Sequence, residues 1–198
     1  MHLGAGEEVG SELCCAACGQ PLGYRTTDRL TGLLDRWGWE EQVTQALAES
    51  ADDTSVLLLL DLDHFKDIND MHGHLAGDTV LQAVATTLKT TVRTTDLAGR
   101  FGGYGGDEFL ILLPATSLEH GIAVARRIRA RLQDQIVPTH TVHGQATVIT
   151  GLTASIGMAV HGPHANETMT ELLRRADGAL LHAKRTGRNR IALGDDLI

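Results

Sequence analysis

No apolar run in these 198 residues approaches the ~20 that a bilayer-crossing helix needs, so no membrane association is expected. Basic charge is also short. Seventeen Lys and Arg stand against 25 Asp and Glu, a formal net charge of −8, which argues against broad binding to a nucleic-acid backbone. Small triphosphates stay open, because a metal and a few placed cations override a global negative field. The first ten residues carry Glu7 and Glu8 and no basic stretch, so a signal peptide is not expected and the cytoplasm is the default. Cysteines number only three, at Cys14, Cys15 and Cys18, and an odd cluster of this kind is no disulfide framework. No second Cys-x-x-Cys follows Cys15-Ala-Ala-Cys18, whereas zinc usually takes four ligands. Zinc at Cys14, Cys15 and Cys18 would need His2 or a second chain, and a redox-sensitive tail is the other reading.

What the sequence does have is concentrated at Arg100-Phe-Gly-Gly-Tyr-Gly-Gly-Asp-Glu-Phe109, followed by the apolar run Leu110–Leu113. Strand-like runs on either side of the glycines read as a β-hairpin whose tip carries the two acids. Adjacent carboxylates repel unless a cation or a proton is near, so Asp107 and Glu108 point to a divalent metal; the plain alternative is a solvated turn.

Elsewhere the patterning predicts a helix over 36–49 with Asp35 as N-cap and Trp37 and Trp39 as packing residues. The continuous apolar run Val56–Leu60 reads as a central strand buried on both faces, ending in Asp61-Leu-Asp63. An acid at the end of such a strand is costly to bury alone, which makes Asp61 a candidate metal ligand and leaves Asp63 a structural role. A short turn or helix follows over 64–70. A helix over 76–92 has Val80, Leu81, Val84, Leu88 and Val92 on its buried face and Asp78 in its first turn. The hairpin spans 97–101 and 109–113, and a helix over 118–132 carries Arg126, Arg127, Arg129 and Arg131 as a solvated basic face. Two β-rich runs occupy 136–160, a last helix 171–186 and a closing strand 191–193; His161 and His164 have a spacing that metal sites also use. The order β-α-β-β-α-β-α-β implies an α/β (α+β) fold with a ferredoxin-like sheet.

These blocks together resemble the GGDEF diguanylate cyclase family. The resemblance rests on Gly105-Gly-Asp-Glu-Phe109, Asp28-Arg-Leu-Thr-Gly-Leu-Leu-Asp-Arg36 and Asp61-Leu-Asp-His-Phe-Lys-Asp-Ile-Asn-Asp70. Gly73-His74 with Gly77-Asp78, Ser155-Ile-Gly157, and Ala176-Asp177 through Lys184 to Gly187-Arg-Asn-Arg190 extend it. It covers about residues 26 to 193, leaving 1–25 as an N-terminal extension of no assigned fold and 26–198 as the domain. The family's polymerase-palm-like sheet agrees with the order of elements.

The resemblance implies condensation of two GTP molecules to cyclic di-GMP with release of two pyrophosphates, in a homodimer with two sites face to face. By motif, Asp61, Glu108 and the Leu62 carbonyl would bind Mg2+ or Mn2+, two ions per active site, with Asp107 as ligand or general base. Phe65, Lys66, Lys184 and Arg188 would contact the nucleotide, the three cations holding its triphosphate. Lys184 and Arg188 would share a face if the last helix reached that far. Asn69 and Asp78 would read guanine, whose N1–H and N2–H suit a carboxylate acceptor. Arg93-Thr-Thr-Asp96 matches the family's product-inhibition motif. One departure is that Gly-Gly-Tyr is in effect repeated, adding Gly102–Tyr104 between Arg100 and Asp107, which must bulge or loop if register is kept. The rival reading is a catalytically degenerate receptor for GTP or cyclic di-GMP.

Overall fold

A computed structural model describes residues 26–101, 106–194 and 196–198. Cys14, Cys15, Cys18 and the inserted Gly102–Tyr104 therefore lie outside the described residues, as does Gly105. Five helices and eight strands follow in the order α1 Arg36–Glu49, β1 Ser55–Leu62, α2 Phe65–His72, α3 His74–Thr91, β2 Leu97–Arg100, β3 Glu108–Leu113, α4 Leu118–Gln133, β4 Ile136–His140, β5 Ala146–Thr150, β6 Ala154–His161, α5 Met169–Arg185, β7 Ile191–Leu193 and β8 Asp196–Leu197. The main sheet runs β2-β3-β1-β6-β7-β8, and β4 pairs with β5 in a separate hairpin. Antiparallel β3 and β6 flank β1, so the first four strands of the sheet have the split βαβ arrangement of ferredoxin-like folds.

The apolar run of β1 explains its central place. All eight of its residues are buried, and successive side chains go to opposite faces. Val56, Leu58, Leu60 and Leu62 join a core with Val80, Val84 and Leu88 of α3 and Ile128 of α4. Leu57 and Leu59 join a second core with Trp39 of α1 and Leu172, Ala176 and Leu180 of α5. Burial of each such leucine contributes roughly 2 kcal/mol. The same parity puts Asp61 on the α1/α5 face.

Two glycines set close approaches around this strand. A Cβ on Gly157 of β6 would overlap the Ala176 carbonyl and the Leu180 amide, so α5 lies against bare backbone there. A Cβ on Gly99 of β2 would stand 2.7 Å from Trp39 Cδ1, and the indole Nε1 donates to the Leu97 carbonyl at 3.2 Å.

Several expectations change in detail. Trp39 is buried, but Trp37 is 63% exposed on the first turn of α1 and does not pack. The second β-rich run is two strands, β5 and β6, separated at Gly151, whose φ of +70° breaks an extended path. Because α3 begins at His74, Asp78 falls in its second turn and not its first. Three of the four arginines of α4 are engaged, while Arg126 is exposed as expected. Arg127 donates to the Thr91 carbonyl, Arg131 to the Thr90 carbonyl and Thr91 Oγ1, and Arg129 to Asn189. Two of them thus satisfy carbonyls that the end of α3 leaves open.

Candidate active site

The site forms where β1 ends and β3 begins. Asp61 and Glu108 are direct partners in the antiparallel register, so their side chains leave the same face at neighbouring positions. Lys184, near the end of α5, reaches that face and places Nζ 2.7 Å from Asp61 Oδ2. Burial pushes the Asp61 carboxyl above the ordinary aspartate range; Lys184 opposes the shift, while Asp107 and Asp63 add to it. Burial likewise raises Glu108, with Asp61, Asp107 and Asp177 pushing the same way against Lys184. Asp107 is strapped to the strand end by its carbonyl, which accepts from the Leu62 amide at 3.3 Å.

An array of carboxylate and carbonyl oxygens suits Mg2+ or Mn2+. Lys184 already shows that the pair attracts a cation. Among the described residues no three His, Cys, Asp or Glu side chains converge as a metal cage. Two facing carboxylates are nevertheless what Mg2+ uses when substrate phosphates complete its shell. The donor set therefore fits a metal that arrives with a triphosphate. His161 and His164 do not form a second centre, for each faces a different acid: His161 lies 3.7 Å from Glu167, and His164 lies 3.5 Å from Asp52.

On the α2–α3 pair, Asn69 packs against Gly77, the residue before Asp78. A Cβ on Gly77 would overlap Asn69 Oδ1 and stand 3.2 Å from Phe65 Cζ, so the asparagine amide lies over the glycine beside Asp78. Phe65 is buried, whereas Lys66 is exposed with no partner among the described residues. Arg188 is exposed too, beyond the end of α5. The helix stops at Arg185, so Lys184 and Arg188 do not share a helical face. Gly187, Arg188 and Asn189 instead have φ of +125°, +60° and +47°.

The family model for the diguanylate cyclase GGDEF domain matches residues 25–190. The chain belongs to the GGDEF family. This GGDEF domain is 44% identical over 170 residues to the diguanylate cyclase DgcP of Pseudomonas aeruginosa, a match covering 83% of the chain and 23% of that protein. It is 37% identical over 172 residues to the response regulator PleD of Caulobacter vibrioides, covering 86% of the chain and 36% of that protein. The chain thus spans well under half the length of these relatives. The crystal structure of the DgcB GGDEF domain of Caulobacter crescentus, in complex with c-di-GMP, superimposes with a TM-score of 0.76 at 31% identity, over 86% of this chain and 94% of that one.

Around the GGDEF turn the structure gives roles to residues that the motifs alone leave without one. Arg100 donates through Nε to the Gly106 carbonyl at 2.8 Å, and its Nη1 lies 3.2 Å from Asp28 Oδ1. Asp28 also accepts from the Thr31 amide and hydroxyl. Burial alone would raise the Asp28 carboxyl, but the Thr31 hydrogen bonds and the Arg100 charge hold it below its ordinary value. Gly106 has φ +70° and would bring a Cβ within 2.6 Å of Arg100 Nη2, so glycine is required. Arg100 thereby fixes the approach to Asp107. An arginine placed just before a glycine-rich turn was the available signal. Asp63 is structural, as expected: its carboxylate accepts from Ser155 Oγ at 2.7 Å and from the Asn189 amide at 2.9 Å.

Arg93 and Asp96 form a tight turn between α3 and β2. The buried Asp96 accepts the Arg93 amide at 2.7 Å, while Arg93 is exposed. Burial pushes the Asp96 carboxyl up, against the Arg93 amide and charge. Among the described residues no helix is long and apolar enough to cross a membrane.

Proposed function

We propose that this GGDEF domain is a diguanylate cyclase that joins two GTP molecules into cyclic di-GMP and releases a pyrophosphate from each. The observation that carries this reading is the register pair of Asp61 and Glu108, both raised in pKa and facing one lysine. Groups of this kind are poised for a cation and for developing phosphoryl charge. Asp78 and Asn69 hold guanine. Lys66 and Arg188, both exposed, receive the triphosphate. Lys184, whose side chain is 30% exposed, turns from Asp61 to join them.

Asp61, Glu108, Asp107 and the Leu62 carbonyl hold Mg2+ or Mn2+, two ions per site. Such ions would neutralise phosphoryl and pyrophosphate charge and lower the pKa of the attacking hydroxyl. The 3′-oxygen of one nucleotide forms a bond to the α-phosphorus of the other. The bond from that phosphorus to pyrophosphate breaks, and the hydroxyl proton leaves to Asp107. One domain carries one nucleotide, so two copies meet face to face. Arg93 and the Arg93–Asp96 turn bind product and slow the reaction, and GTP as substrate places the work in the cytoplasm. The relatives named as diguanylate cyclases support this reading.

The test is incubation of the purified chain with GTP and Mg2+, followed by mass detection of cyclic di-GMP and assay of pyrophosphate. Two pyrophosphates per product are expected, and none from Asp61→Asn. No product from a chain that still binds GTP would transfer the reading to a nucleotide receptor.

A further inference from the structure

The loop that carries Arg188 is held in an unusual shape by residues far from it in sequence. Arg188 and Asn189 are consecutive non-glycine residues with positive φ, a region that side-chain-bearing residues rarely occupy and that the surroundings must impose. Each of their backbone polar groups is taken. The Arg188 amide donates to the Ala183 carbonyl at 3.0 Å, and its carbonyl accepts from Arg190 Nε at 2.8 Å. The Asn189 amide donates to Asp63 Oδ2 at 2.9 Å, and its carbonyl accepts from Arg129 Nη1 at 2.9 Å. Arg129 also reaches Asn189 Oδ1 at 3.3 Å. Only the Arg188 side chain is without a partner among the described residues.

Asp63 is the junction. It lies two residues beyond Asp61, and its other oxygen accepts from Ser155 of β6. The strand end that bears the metal-ligand candidate and the turn that bears the cation are thus tied to one buried carboxylate, with Arg129 bracing the turn from α4. We infer that Asp63 and Arg129 are positioning residues that hold Arg188 at a fixed span from Asp61, which sets the triphosphate affinity of the site. This rests on the nucleotide reading above. Neither residue touches substrate; each acts through Asn189.

The experiment measures binding of the non-reacting α,β-methylene analogue of GTP, and of GMP, to the full chain in Mg2+ by calorimetry. Arg188→Ala should weaken the analogue about tenfold, the scale of one charge-assisted contact, and leave GMP unchanged. Arg129→Leu should weaken the analogue roughly fivefold, again sparing GMP, and should cost nothing further when added to Arg188→Ala. Asp63→Asn should bind as the parent does, because its amide oxygen accepts from Asn189 while Ser155 turns its hydroxyl to accept from the amide nitrogen. Asp63→Ala should weaken the analogue by up to the tenfold of Arg188→Ala, again sparing GMP. Asn189→Gly, which suits positive φ and keeps both backbone bonds, should also match the parent, and Asn189→Val should not. Equal losses for GMP and analogue, or an additive Arg129→Leu loss in the Arg188→Ala background, would overturn the positioning role while leaving the nucleotide site standing. A parent that does not prefer the analogue over GMP, or an Arg188→Ala variant without loss, would overturn the nucleotide reading and the inference with it.

Discussion

Gly157 is the position at which one added methyl group tests the packing of α5 on the sheet most directly. In Gly157→Ala the new Cβ would overlap the Ala176 carbonyl and Leu180 amide and stand 2.8 Å from Leu180 Cα. Moving from 2.8 Å to the 3.4 Å at which ordinary contact begins is a 0.6 Å retreat, and the two overlapping atoms require more. These are backbone atoms of a helix, so no side chain can rotate away, and α5 must shift as a body. Overpacking of this order costs about 3 kcal/mol, offset by roughly 0.7 kcal/mol because alanine loses less entropy than glycine in a strand. The net of about 2 kcal/mol corresponds to a melting temperature lower by roughly 4–8 °C for a chain of this size. The same shift draws Lys184 away from Asp61, so turnover at a permissive temperature should fall as well. The control is Gly178→Ala on the exposed face of α5, where a Cβ meets nothing within 4 Å. Helix propensity alone should stabilise it by about 1 kcal/mol, or ~2–4 °C. Thermal melts of both variants followed by far-UV circular dichroism decide the matter. A Gly157→Ala protein that melts at or above the parent would refute the packing argument.

Glu108→Gln should abolish cyclase turnover, yet raise the melting temperature of metal-free protein near neutral pH. Burial and then Asp61 raise the folded-state pKa of Glu108, so its stabilising contribution is full only below the unfolded carboxylate pKa and is lost as pH rises through the raised value. The melting gain should therefore shrink as pH falls to the ordinary carboxylate range; a gain that grew instead would contradict the assigned cause. Gly77→Ala should displace Asn69 and weaken GTP binding about tenfold with little change in melting, measured by calorimetry. Asp78→Ser should admit ATP in a competition assay, and unchanged discrimination would put guanine recognition elsewhere. Arg93→Ala should relieve inhibition by cyclic di-GMP without lowering the initial rate, and undiminished product binding would remove that site.

The sequence shows β1 plainly, because five consecutive apolar residues need no partner to announce a doubly buried strand. Asp35 and its helix are equally local: the aspartate accepts the Gly38 amide, and the expected bounds 36–49 are those observed. The facing of Asp61 and Glu108 is different in kind, since register between strands 47 positions apart is decided by tertiary pairing. The same holds for Arg127, Arg129 and Arg131, which read as solvated because nothing local reveals that the end of α3 and Asn189 lie opposite. The pattern leaves open whether α5 reaches Arg188, and the helix ends at Arg185, with Gly187 at φ +125° just beyond it. Trp37 misled through composition alone, an indole that the helix turns toward solvent.

Arg100 has one more consequence, for how such a domain tolerates change in length. The Phe101 amide donates to the Glu108 carbonyl, and Arg100 holds both Gly106 and Asp28, so the two ends of the connection are moored independently of what joins them. By loop-closure entropy alone, doubling the connecting residues from three to the six of 102–107 should cost about 0.6 kcal/mol. Length variation, or a grafted reporter peptide, between Phe101 and Gly106 should therefore leave Asp107 and Glu108 at their address, and turnover of a variant lacking Gly102–Tyr104 checks it.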